Sequence, residues 1–301
     1  IFRGSVQVLS GTTVLGGTLT TLNGSAVSLN TGATLDGVTV NGNLDLGDSG
    51  SSANVTVTNG LVLNGAALLG NPSSSRYGVL SFAGSQTLSG SGTVVFGQYS
   101  AYNSLLVAQA GTTLTIGPGL TVRGQNGNIG YNASVGGSPT VTVLNQGSIA
   151  CDVNGGTFHI TPQSFINQGT LSASAGTVLN LSGSNTLSDG SVSLALGGPA
   201  TFGKLTLSGA VTLDGGLNVN LSGGYVPTNG ASFNLVTYGS ESGSFAPVNL
   251  PGQGLQWQFN YNATAATLSL TNDLATLVNI TYLRATLDPV TYGPTNTTQL
   301  Y

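Results

Sequence analysis

From Val6 to about Leu270 the chain is written in short runs that alternate apolar and polar residues, cut by glycine-containing turns. Thr39-Val40-Asn41-Gly42-Asn43-Leu44-Asp45-Leu46 is one such run, Asn54-Val55-Thr56-Val57-Thr58-Asn59-Gly60-Leu61-Val62-Leu63 another, and Lys204-Leu205-Thr206-Leu207-Ser208-Gly209 a third. Val, Leu and Ile alternating with Thr, Ser and Asn at a period of two predict strands with one face buried. Sustained helical periodicity is found nowhere along the chain. Asn-Gly, Asp-Gly and Ser-Gly dipeptides recur at the breaks, where a positive φ is easily reached.

Many short strands with regular turns suit a sandwich, a barrel or a solenoid, and internal repeats decide among them. Asn145-Gln146-Gly147-Ser148-Ile149 returns as Asn167-Gln168-Gly169-Thr170-Leu171, an offset of 22 residues, with Leu144 matched by Ile166. Between them lies Gly155-Gly156-Thr157-Phe158-His159-Ile160, matched in turn by Ala175-Gly176-Thr177-Val178-Leu179-Asn180. That spacing fits one turn of a three-stranded coil, with like side chains stacked about 4.8 Å apart. The expectation is an all-β, right-handed parallel β-helix (a β-solenoid) of about twelve coils, roughly 55–60 Å long. Asn145 and Asn167 should then stack at one corner as a side-chain ladder, with Phe158 pointing inward.

The Asn-Gln-Gly-Ser/Thr-Ile/Leu pair, with Gly-Thr-Phe-His-Ile between its copies, resembles the β-helical passenger regions of bacterial autotransporters and filamentous-haemagglutinin-like adhesins. Gly230-Ala231-Ser232-Phe233-Asn234-Leu235-Val236-Thr237-Tyr238-Gly239, Gly243-Ser244-Phe245-Ala246-Pro247 and Tyr261-Asn262-Ala263-Thr264-Ala265 resemble the region that closes such helices. The resemblance covers about residues 5–270. It implies a surface-displayed rod and assigns no catalytic residue. The expected division is a β-helix over 1–228, a closing segment over 229–271 and an extended arm or linker over 272–301. A β-helix otherwise ends in an open edge and a bare core. Phe233, Tyr238, Phe245, Trp257 and Tyr261 place large side chains where a cap needs them.

Composition narrows the function. Of 301 residues, 5% are charged, against about 25% in an average soluble protein. Five scattered basic residues cannot neutralise a run of phosphates, so nucleic acid is a poor partner, as is an anionic membrane. No apolar run approaches the roughly 18 residues of a membrane span. The single Cys151 forbids an intrachain disulfide, leaving burial and backbone hydrogen bonds as the source of stability. The start, Ile-Phe-Arg-Gly, reads as processed or excised from a longer chain.

Candidate chemistry is sparse. Polysaccharide-cleaving β-helices need clustered carboxylates, and the acids here are few and spread along the chain. Asp36, Asp45 and Asp48 come closest to a group, and a turn role suits them better than a metal or catalytic one. Cys151 and His159, eight residues apart, invite a Cys/His nucleophile, but His159 alternates with apolar neighbours as an outward strand residue does. Thr-rich strands raise binding to ice or crystalline glycan. No cofactor or metal motif is present.

The sequence therefore predicts a non-enzymatic, secreted, cell-surface structural or adhesive protein. Its partners would be further copies of itself in a homopolymer, or further covalently linked domains, with a glycan or host-surface receptor as a possible ligand. The alternative is a carbohydrate-binding or carbohydrate-cleaving β-helix. Beyond Asn272 the composition changes, and Ile280, Tyr282, Leu283, Leu287 and Tyr292 mark an arm with two partly apolar faces. An isolated strand of that kind is unstable without a partner, which suits a linker or a contact between subunits in a head-to-tail filament.

Overall fold

In the computed structural model, which describes residues 6–99, 101–252 and 254–272, the chain winds into a β-solenoid with three walls. Because the runs alternate, every second residue of a strand points inward, and parallel stacking places like positions on top of one another. Along the first wall one inward column reads Val6, Val27, Leu44, Ala67, Val94, Val122, Ile149, Leu171, Val192, Leu217 and Val248. From Val27 to Leu217 every member of this column is buried. Each fully buried aliphatic side chain contributes about 1.5–3 kcal/mol, so a continuous column is the main stabilising feature.

The first wall holds eleven strands, from Val6–Val8 to Val248–Asn249. The other two walls form one sheet, because four long strands turn the corner between them: Thr34–Asn41, Ala53–Leu63, Lys204–Leu213 and Ser232–Gly243. Asn59 and Gly60, with φ of 55° and 86°, bend the second of these without ending it. An Asn-Gly pair that reads as a break between strands is here a corner within one.

The expected coil number is corrected downward. Eleven stacked strands give ten steps, or about 48 Å of rod. The 22-residue offset holds between Thr142 and Ser164 and between Ser148 and Thr170. Elsewhere the step varies, from 17 residues (Ala26 to Asn43) to 31 (Leu217 to Val248), because corner loops absorb insertions while strands stay in register. The second sequence match also slips by one residue: Phe158 stacks on Leu179 and His159 on Asn180, not on Val178 and Leu179. Strand parity requires this, since the apparent match would have set inward Phe158 against outward Val178.

One corner is built from stacked glycines. A Cβ on Gly65 would overlap the carbonyl oxygen of Gly42, one on Gly92 that of Gly65, one on Gly169 that of Gly147, and one on Gly215 that of Gly190. Here the backbones of successive coils touch directly, which only glycine permits.

The two ends differ. At the C-terminal end Ser232–Gly243 still stacks in parallel on Lys204–Leu213, and Ala265–Asn272 then adds to its other side in the antiparallel sense, followed by Gln256–Tyr261. At the N-terminal end Leu9, Leu15 and Leu22 are exposed, and the strands Val6–Val8, Thr13–Leu15 and Thr18–Thr20 pair on one side, among the described residues.

Candidate functional site

The second wall is smooth until residue 70, where three corner loops grow. Loop 70–77 follows Ala66–Leu69, a loop described over 97–99 and 101–103 follows Thr93–Phe96, and loop 131–141 follows Asn126–Gly130. The first two bring Tyr77, Tyr99 and Tyr102 together; the Tyr77 and Tyr102 rings stack at 4.9 Å and those of Tyr99 and Tyr102 at 5.3 Å. The third loop folds back over the outer face of Ser104–Val107. Asn132 Nδ2 donates to Ser104 Oγ (2.8 Å) and to the Ala101 carbonyl (2.9 Å), while the Asn132 carbonyl and Oδ1 accept backbone N–H groups of Val135, Gly136 and Ser134. Outward-facing Ser104 and Leu106 are buried beneath this loop, as is Val79 on the strand below.

Beside that cover runs a groove of about 800 Å³. Its floor carries Asn128 and His159, in register on successive coils, and Asn180 continues the same row. Tyr131, Ala133, Ser134 and Pro139 form one side; Pro162, Gln163 and Ser182 form the other. Thr161 Oγ1 donates to the Tyr131 carbonyl and ties the two sides together. Among the described residues no Asp, Glu, Lys or Arg lines the groove. Partial desolvation holds the His159 imidazole below its ordinary range, favouring the neutral form.

The residues singled out from sequence are distributed as follows. Asn145 Nδ2 donates to Asn167 Oδ1 at 2.8 Å, both side chains are fully buried, and Asn167 Nδ2 donates to the Gly169 carbonyl at 3.1 Å. Phe233, Tyr238 and Phe245 are buried at the C-terminal end, with Trp257 and Tyr261 packed against them. Trp257 Nε1 donates to the Pro251 carbonyl (2.8 Å), Tyr238 Oη to that of Asn262 (2.9 Å), and Tyr261 Oη accepts the Phe245 N–H (2.8 Å). Ile280, Tyr282, Leu283, Leu287 and Tyr292 lie outside the described residues.

Cys151 and His159 are not brought together. Cys151 faces the core from the first wall, where burial pushes its thiol up to about 11; His159 faces outward from the second. The described acids also stay apart from the groove. Asp45 accepts the N–H groups of Asp48, Ser49 and Gly50, and Asp36 accepts Asn59 Nδ2 at 2.6 Å. Asp152 pairs with Arg123 at 2.6 Å. Among the described residues no three His, Cys, Asp or Glu side chains form a metal-binding group.

A hydroxyl row does exist: Thr93, Thr121, Ser148, Thr170 and Ser191 occupy one register on the first wall. The neighbouring row contains Val95, Arg123 and Ala150, and the Arg123–Asp152 pair interrupts any flat hydroxyl plane. Sequence reading missed the groove because Asn128 and His159, which stack on successive coils, are 31 residues apart, outside the 22-residue step. No protein-family model matches the chain, and no curated protein matches it.

Proposed function

We propose that the chain is an extracellular structural or adhesive rod that joins to its neighbours end to end. The observation that carries this reading is the inequality of the ends. The C-terminal end is covered by antiparallel strands and aromatic side chains, whereas the first described coil leaves Leu15 at 79% exposure and Leu22 at 60% beside three strands that pair on one side among the described residues. An exposed strand edge with apolar neighbours is a template for further pairing. The side walls support the display role, since their outward rows are mainly Ser, Thr and Asn and make many weak hydrogen-bonding contacts without long-range steering.

Electron microscopy of the purified full chain over a range of concentrations tests the assembly. Rods that lengthen with concentration are expected, and Leu15→Glu together with Leu22→Glu should return them to single units. Particles of one short length at every concentration would refute end-to-end joining. For the adhesive role, beads coated with the protein should adhere to cell layers more than albumin-coated beads do, and equal adherence would count against it.

A further inference from the structure

We infer that the groove over Asn128 and His159 is a binding site for a neutral glycan chain. Three features of the site select that ligand class. The first is charge. Among the described residues the lining consists of amide, hydroxyl, imidazole and apolar groups, which offer no counter-ion to a sulfated, phosphorylated or uronic-acid ligand. A neutral imidazole has one donor and one acceptor nitrogen, and the side chains of Gln163 and Ser182 carry both kinds of group as well. Sugar hydroxyls both donate and accept, which is the pattern these groups complement.

The second feature is shape. The lining comes from three successive coils about 4.8 Å apart, in a row along the rod axis from Asn128 to His159 to Ser182. A row of that kind suits an extended chain of repeating units better than a compact small molecule. The flanking Tyr131 ring and the exposed Pro139 ring supply the apolar faces on which the C–H face of a pyranose rests. The sheet beneath is paired on both sides at these coils, so a peptide cannot add as a strand.

The third feature is preparation of the site. The loop that carries Tyr131 to Pro139 is pinned by the buried Asn132 through bonds to two positions of the neighbouring coil and by its own turn bonds. Thr161 fixes the backbone of Tyr131. Little ordering remains to oppose binding, and that is the condition under which a shallow polar groove retains affinity. This inference is independent of end-to-end joining and stands or falls separately.

The chain has one histidine, so the imidazole C–H resonances report on this groove alone. The full-length protein should be titrated with neutral hexaoses of β-1,4-linked glucose, N-acetylglucosamine, mannose and xylose, and with hexagalacturonate as the charged counterpart. At least one neutral hexaose is expected to shift the resonance saturably, with hexagalacturonate weaker by about tenfold or more. Tyr131→Ala should weaken the binding hexaose by about tenfold, and Gln163→Ala, a rim change with little risk to folding, by several-fold. The inference is overturned by any of three results: no shift with any neutral hexaose, equal or tighter binding of hexagalacturonate, or a shift that both variants leave unchanged.

Discussion

Asn145 and Asn167 show how two polar side chains are tolerated in an apolar column. Asn145 sits directly on Ile116; its amide N–H donates to Asn167 Oδ1 above, while its own buried Oδ1 has no hydrogen-bond partner among the described residues. Removing that acceptor strands a buried donor whose remaining contact, the Thr170 carbonyl, is 3.4 Å away. Asn167→Ala should therefore cost about 1–3 kcal/mol in urea unfolding, and a loss below about 0.5 kcal/mol would show that the ladder is incidental. Gly169 makes the complementary case, since a methyl there collides with the Gly147 carbonyl of the coil below. Gly169→Ala is expected to lose about 1–3 kcal/mol, whereas Gly155→Ala, with open space around it, loses only what its positive φ of 78° imposes. Comparing the two melting temperatures separates contact from conformation. Both the Asn pair and its flanking glycines were legible in the sequence because they repeat at one offset. What the repeat did not reveal was that Phe158 stacks on Leu179, since parity of the strand, and not likeness of letters, sets that register.

At the level of the element, the walls and the loops were unequally readable. Alternation predicts strands and inward faces wherever side chains meet only the core. It fails at Ser104–Val107, all four residues of which are buried, because a loop covers the outer face as well. Nothing local to Tyr131–Thr140 announces that it will fold back onto the preceding coil. The C-terminal aromatics were readable because large rings concentrate there, but the antiparallel pairing of Gln256–Tyr261 with Ala265–Asn272 comes from tertiary placement. Ser232–Gly243 belongs at once to the last coil and to this closing sheet. Closure and coil should consequently unfold together. Fluorescence of Trp257, the sole tryptophan, and far-UV circular dichroism should give the same urea midpoint, and an earlier fluorescence transition would mean that the closing strands detach on their own.

For the whole molecule the scarcity of charge has a direct consequence. One salt bridge, Arg123–Asp152, occurs among the described residues, and the net charge of -4 is spread over the full chain. Screening has little to act upon, so raising sodium chloride from 0.05 to 0.5 M should leave the melting temperature within about 2 °C, after allowing for weak salting-in or salting-out. A larger shift would point to charge coupling that the fold does not display. His159 adds a small pH term. Its pKa lies below the usual value, so the unfolded chain takes up the proton first, and stability declines as pH falls below about 6.5 and is flat above it.

The stacking of coils along one axis also fixes how the molecule would respond to tension. Load applied between the described ends acts along the stack, so strands are peeled from a terminal rung one at a time instead of being sheared all together. Peeling breaks few hydrogen bonds at each step, and the first described coil, which among the described residues pairs on one side, is where it would begin. The first coil released, the 21-residue step from Val6 to Val27, would pay out about 70 Å of chain. The rod would thus yield gradually, as a compliant tether that lengthens in steps.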